Sequence, residues 1–191
     1  MPAVPSTMLE LGTQAPQFSL IEPSTQKHVS LSDFKDKPVL IAFICNHCPY
    51  VILLKKALQQ FAEDYSSQGL QVIAINANDS DEYPADGPDK MVVDVEDYGY
   101  TFPYLFDESQ ATAALYKAAC TPDFFLFDSQ HALYYRGQFD SVRPNSEIEA
   151  TGVDLRNAAD NLLKGNQAPT EQLPSIGCSI KWKPENKPDY A

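Results

Sequence analysis

Four cysteines, at positions 45, 48, 120 and 178, are the residues of this chain best suited to chemistry. A thiolate, not a thiol, is the attacking species. A helix amino terminus lowers a cysteine pKa because unpaired N–H groups and the positive dipole end point at the sulfur. Cys48-Pro49 stands at the start of a helical pattern, where proline at the first helical position forfeits no hydrogen bond and leaves the cysteine at the cap. His47 beside it adds positive charge when protonated. The plainer fate of a free cysteine is a small buried apolar residue. Position argues against that for Cys48, since the strand-to-helix junction of a parallel sheet lies at the carboxyl edge, where sites form.

Partners for Cys48 are open. Cys45 lies three residues earlier, in the turn, and either closes a disulfide with Cys48 or packs at the strand end. Cys120-Thr121-Pro122-Asp123 precedes a strand, and Thr121-Pro122 is where a cis peptide bond is expected, in a tight turn that exposes nearby backbone groups. Cys120 is therefore either a second partner or a core thiol. Cys178 falls in a proline-punctuated tail with few signs of regular structure, where a mobile segment brings a resolving thiol to its own or a neighbouring subunit, or leaves it unpaired.

The elements that must position these residues alternate between apolar runs and helical patterns, which predicts an α/β domain. Pro38 to Ile44 is continuous and β-branched, as expected of a central strand covered on both faces. Leu54, Leu58, Phe61 and Tyr65 then form one apolar stripe on a helix running from Pro49 to near Gly69. Leu70 to Ala77 is the next strand, placed parallel to the first by a right-handed crossover. Asn78 to Lys90 is acidic and rich in turn formers, and is expected to be a solvated surface loop without chemistry. Its carboxylates do not have the spacing of a calcium-binding EF-hand loop.

A helix over Met91 to Tyr98 follows, then the Phe102 to Phe106 run and a short helix over Ser109 to Ala118. Phe124 to Phe127 and Leu133 to Gln138 are expected to pair as an antiparallel hairpin. A last amphipathic helix spans Ser146 to Leu163. Ala15 to Leu20 and His28 to Leu31 add an amino-terminal hairpin. The predicted organisation is one domain over residues 1–165 and a carboxyl-terminal tail over 166–191, packed on or near it, with no internal repeat.

At 191 residues the chain is long enough to bury a core without disulfide or metal staples, so the cysteines are read as chemistry before scaffolding. A formal charge of −12 repels phosphate backbones and acidic lipid, which excludes nucleic acid and membrane as partners. Met1 to Leu11 lack the basic start and apolar run of a secretory signal, and no stretch approaches the roughly 20 apolar residues of a membrane helix. A cytoplasmic location is therefore expected, in which a Cys-x-x-Cys pair is redox-active or metal-binding more often than structural.

Three segments carry a family resemblance: Gly12 to Leu20 (GTQAPQFSL), Phe43 to Val51 (FICNHCPYV) and Cys120 to Asp128 (CTPDFFLFD). Over Leu11 to Gly165 the chain resembles the redoxin group, meaning the alkyl hydroperoxide reductase/thiol-specific antioxidant (AhpC/TSA) proteins and the thioredoxin-like oxidoreductases. With the PSIGCSIKWKP tail it is similar to a peroxiredoxin-like subgroup. The resemblance implies a thioredoxin-like fold: a central mixed β-sheet flanked by helices, with the amino-terminal hairpin as an extension. It puts Cys48 on the attacking cysteine of thioredoxin-like proteins and Val51 on their second, so the usual second thiol is absent. Peroxiredoxins carry Pro seven and Thr three residues before the peroxide-reactive cysteine, where this chain has Ile41 and Cys45. Their supporting arginine falls near Pro122, leaving Arg143 and Arg136 as nearby substitutes.

The resulting expectation is a thiol-dependent oxidoreductase without a cofactor, with antioxidant, peroxiredoxin-like activity. Its Cys48 thiolate attacks a peroxide or a disulfide and is resolved by Cys45, Cys120 or Cys178. The Thr121-Pro122 loop fits thiol–disulfide exchange. A thiol electron donor such as a thioredoxin, and a homodimer, are implied by resemblance. The alternatives are a disulfide reductase without peroxidase activity, a metal-binding module in which Cys45, His47, Cys48 and Cys120 hold copper or zinc, and a noncatalytic module that kept the fold.

Overall fold

A computed structural model describes residues 3–191. Residues 1 and 2, part of the stretch read above for a secretory signal and for the start of the domain, lie outside the described residues. In chain order the strands are β1 (Ala3–Pro5), β2 (Ser19–Glu22), β3 (Lys27–Ser30), β4 (Val39–Phe43), β5 (Gln71–Asn76), β6 (Tyr104–Phe106), β7 (Cys120–Thr121), β8 (Asp123–Phe127), β9 (Leu133–Gly137) and β10 (Ile176–Ser179). The helices are α1 (Pro49–Ile52), α2 (Lys55–Ser66), α3 (Pro88–Tyr98), α4 (Ala111–Leu115) and α5 (Val153–Leu163).

Seven strands form the main sheet in the order β3-β2-β6-β5-β4-β8-β9. β4 pairs parallel with β5 and antiparallel with β8, so the sheet is mixed and β4 is central. Alternate residues of a strand point to opposite faces, which explains why the β4 run is apolar throughout. Leu40 and Ala42 join Leu58, Phe61, Leu155 and Met91 in one core layer, while Val39, Ile41 and Phe43 join Tyr116, Phe125 and Ala113 in the other. The β2–β3 and β8–β9 hairpins form as expected. This is the thioredoxin-like α/β fold. Among the described residues no helix is long and apolar enough to cross a membrane.

Three elements depart from the sequence reading. The helix expected from Pro49 onward is broken between α1 and α2: the Leu54 N–H reaches back only to the Val51 carbonyl, 2.9 Å away, which tightens the chain there. The stripe survives, with Leu54, Leu58, Phe61 and Tyr65 all buried, and Ile52 and Leu53 are left exposed. The last helix begins at Val153, not Ser146. Asp140 Oδ2 accepts the N–H groups of Thr151 and Gly152 at 2.8 Å each and fixes the loop before it. Gly152 sits at φ +71 against Phe139, where an added Cβ would approach the ring to 2.5 Å.

The tail is the third departure. Far from irregular throughout, it contributes β10, which is the middle strand of a three-stranded sheet ordered β1-β10-β7. Backbone pairing on both sides places a strand where composition suggested none.

Phe61 tests the core that holds α2 in place. Its ring is fully buried, 4.5 Å from Tyr65 and 6.5 Å from Phe139 between centroids. Phe61→Ala is expected to cost about 3–5 kcal/mol of unfolding free energy, read from urea denaturation with an unchanged slope.

Candidate active site

The carboxyl edge of β4 delivers Ile44 and Cys45, the turn carries Asn46 and His47, and Cys48 caps α1 with Pro49 at its first position. Cys48 lies at the amino terminus of a four-residue helix, and the N–H groups of Val51 and Ile52 both bond the Cys48 carbonyl at 2.9 Å. The Thr121–Pro122 bond is cis, as expected from the sequence, and it places the Thr121 carbonyl 3.1 Å from the Cys48 sulfur. The Thr121 hydroxyl stands 3.4 Å from the Cys45 sulfur.

The four thiols, spread over the sequence, converge here, and all are free and buried. The Cys45 thiol, donating to Cys48, pulls the Cys48 thiol down to about 4 against the burial that raises it. The Cys178 thiol, the Cys178 N–H and the Val51 N–H add to the pull. Conversely, Cys48 and burial hold the Cys45 thiol well above the ordinary thiol range. Burial, and then Cys48, push Cys178 up to about 11. One sulfur is thus the anion and its two neighbours are the donors that stabilise it. As a thiol, Cys48 donates to the Thr121 carbonyl. As a thiolate, it faces that oxygen unfavourably, and the sulfur-directed donors outweigh it.

Cys120 is fully buried, turns its thiol to the Pro122 carbonyl at 3.4 Å, and is held well above the ordinary range by burial. Cys178, expected on a mobile tail, is instead a ladder residue opposite Thr121. His47 is partly exposed and its Nδ1 lies 2.6 Å from Asp86 Oδ2, with the ring stacked on Tyr83. Arg143 donates to the carbonyls of Asp140 and Val142 and to the side chain of Gln138, and Arg136 donates to Leu9 and Gln172. Neither guanidinium bonds a cysteine sulfur.

Asp86 belongs to the acidic loop that sequence reasoning left without chemistry, and it is fully buried. Its Oδ1 accepts the N–H groups of Asn46 and His47 at 2.8 and 3.2 Å, and its Oδ2 also accepts from Asn78 at 2.7 Å. Lys55 Nζ closes the far side of the turn by donating to the Asn46 carbonyl at 2.9 Å and to Asp94, and Tyr104 donates to Asn46 Oδ1 at 2.9 Å. A buried carboxylate therefore shapes the turn between Cys45 and Cys48. The only sequence signal for it is that the loop leaves β5 at the same sheet edge.

Among the described residues the close group of possible metal ligands is Cys45, His47 and Asp86, with atoms within 4.8 Å of one another. Cys48 and Cys120 do not join it, contrary to the copper or zinc set considered above. Both Asp86 oxygens already accept hydrogen bonds, and Cys45 is turned to Cys48 and Thr121, so the group is engaged internally.

Asp123, next to the cis proline, is fully buried with one oxygen unpartnered, and burial raises it to about 7. Its folded pKa exceeds the unfolded one, so its contribution is fully present below the ordinary carboxylate range and is lost as pH rises through about 7. Asp123→Asn is expected to raise the thermal midpoint more at pH 8 than at pH 4, as measured by calorimetry at the two pH values.

Residues 11–136 match the profile of the AhpC/TSA family. The chain belongs to the AhpC/TSA family. Among curated proteins, a stretch of 124 residues is 27% identical to the thiol-disulfide oxidoreductase ResA of Geobacillus kaustophilus, covering 64% of this chain and 66% of that protein. The Bacillus subtilis ResA is 28% identical, with 62% of each chain covered. The matched part is thus slightly under two thirds of the length of these relatives. Among solved structures, an uncharacterized conserved protein from Geobacillus kaustophilus is 50% identical with a TM-score of 0.93, over 96% of this chain and 98% of that one. A putative thiol:disulfide interchange protein DsbE from Chlorobium tepidum, 22% identical with a TM-score of 0.66 over 81% of this chain and 99% of that one, shares the fold.

Proposed function

We propose that the protein is a thiol–disulfide oxidoreductase in which the Cys48 thiolate attacks a disulfide and Cys45 resolves the mixed disulfide. The observation that carries this reading is the arrangement of thiol donors around one sulfur at a helix amino terminus, which pulls Cys48 down to about 4. The thiolate displaces one sulfur of the substrate disulfide, which leaves as a thiolate. Cys45 then loses its proton to solvent and attacks Cys48, releasing the second substrate thiolate and leaving a Cys45–Cys48 disulfide. A thiol donor, such as a thioredoxin, restores the dithiol.

Disulfide exchange is favoured over peroxide reduction by the polar groups around the sulfur. No arginine bonds it, Cys45 stands where a peroxide-orienting hydroxyl would, and the Thr121 main chain lines it. The names of the ResA relatives point the same way. The test gives reduced protein either a protein disulfide or one equivalent of hydrogen peroxide and follows intact mass with peptide mapping. Rapid loss of two hydrogens between Cys45 and Cys48 on the disulfide, with slow reaction on peroxide, is the expected result. Fast peroxide consumption would replace this reading by the antioxidant one.

A further inference from the structure

The nucleophile is closed in. Cys48 has 0% of its surface exposed, although attack on a polypeptide disulfide requires its sulfur to meet another. β10 lies against it, with Cys178 and Cys48 in one buried cluster. Cys178 pairs across the ladder with Thr121, whose carbonyl touches the Cys48 sulfur, and Ser179 pairs with Cys120. A cysteine on an extended strand is therefore held by main-chain pairing directly against the attacking sulfur.

We propose that β10 is an internal stand-in for substrate. The β7 edge beside Cys48 is a docking edge for an extended, cysteine-bearing polypeptide with a small residue directly before the cysteine, and in this state the chain's own Ile176–Ser179 strand fills it. The inference rests on Cys48 being the attacking thiolate. Main-chain pairing at a strand edge supplies affinity with little regard to sequence, and side-chain space supplies selectivity. Here the space is set at one position. A Cβ added to Gly177 would lie 2.0 Å from the Thr121 carbonyl oxygen and 2.6 Å from its carbon, so only glycine lets the strand approach.

The attachment is short on the upstream side of the strand, whereas Ile180 and Lys181 just after it stay anchored to Ala119, Asn78, Asp79 and Gln110 and would be the hinge of any release. β7 offers two residues, and just upstream Ser175 bonds the Pro122 carbonyl at 2.7 Å and is itself bonded by the Ser6 N–H at 2.8 Å. Residues 164–175, which lead into β10 from α5, carry no helix or strand. Release of β10 with its outer neighbour β1 then frees the edge while the main sheet stays intact.

Two measurements decide it. The first compares modification of Cys48, mapped by peptide, by iodoacetamide and by an iodoacetamide carried on a long polyethylene glycol. In the wild type the polymer reagent is expected to lag, and Gly177→Val, which drives β10 off the Thr121 carbonyl, is expected to raise the polymer rate roughly tenfold. The second offers wild-type protein an Ile-Gly-Cys-Ser peptide and an Ile-Val-Cys-Ser peptide, each as its mixed disulfide with thionitrobenzoate. Attack on the peptide sulfur forms a Cys48–peptide disulfide and releases thionitrobenzoate. The glycine peptide is expected to react roughly tenfold faster.

Equal peptide rates, or a polymer reagent that keeps pace with iodoacetamide on the wild type, overturn the proposal. Should Gly177→Val lose its cooperative thermal transition, the peptide pair decides alone. The two failures are distinguishable. No peptide preference with Cys48-dependent reduction of a protein disulfide retained removes the docking strand only, whereas Cys48→Ser that reduces a protein disulfide as fast as the wild type removes the oxidoreductase reading itself.

Discussion

Replacing Cys48 by serine is expected to abolish disulfide reduction, lowering the rate on the order of 10⁴-fold or more, because the neutral hydroxyl left behind is not a nucleophile at neutral pH. Of the four thiols Cys48 alone is pulled below the ordinary range, while Cys45, Cys120 and Cys178 are all pushed above it. Wild-type alkylation by iodoacetamide should therefore be nearly flat with pH above about 5, as for a group near 4, whereas a model thiol gains steeply toward roughly 8.5. A reduction assay on a protein disulfide, run with the pH profile, checks both. Residual turnover in Cys48→Ser within tenfold of wild type would move the nucleophile elsewhere. The same shift links to stability. The folded pKa of Cys48 lies below the unfolded one, so its contribution is fully present above the ordinary thiol range and is lost as pH falls through about 4.

Cys45→Ala is expected to have the second largest effect, through two separable losses. Turnover should fall by roughly two orders of magnitude or more with the Cys48–substrate mixed disulfide accumulating, because the resolving sulfur is gone. The thiolate also loses its leading donor. A hydrogen bond to a charged group is worth about 1.5–3 kcal/mol, so Cys48 should rise by roughly one to two pKa units. At pH 5 that reduces the thiolate fraction about two- to tenfold, which iodoacetamide kinetics read directly. Cys45→Ser keeps a donor, and should restore most of the low pKa without restoring turnover. If turnover survives in Cys45→Ala, Cys178, on the other side of the same sulfur, is the resolving thiol.

How much of this was legible in the sequence follows from which interactions are local. Pro38 to Ile44 announces a strand covered on both faces because no polar residue interrupts it. The stripe Leu54, Leu58, Phe61 and Tyr65 announces a helix because the interval between apolar residues is that of a turn. Cys48-Pro49 marks the helix start, and Thr121-Pro122 marks the cis bond, since proline restricts its own and its neighbour's backbone. Apart from the break between α1 and α2, which a local bond from Leu54 to Val51 makes, the departures are non-local. The start of α5 was placed too early because Asp140 pins the chain at Thr151 and Gly152 from eleven and twelve residues away. Ile176-Gly177-Cys178-Ser179 has a glycine and no alternation to mark a strand, and becomes one only because β1, from the other end of the chain, and β7, more than fifty residues earlier, offer it edges.

The amino-acid sequence by itself determined the α/β order, the central strand and the place of Cys48 at a helix cap, because these rest on propensity, periodicity and proline, which act within a few residues. Only the tertiary structure decided the electrostatics around that cysteine: that Cys45 and Cys178 both serve one thiolate, that Asp86 from an acidic loop is buried under the turn, and that β10 closes the sulfur from solvent. A thiol's pKa and its access depend on which groups lie within a hydrogen bond of it. Groups separated by tens of residues reach that distance only when the sheet closes and brings its edges together.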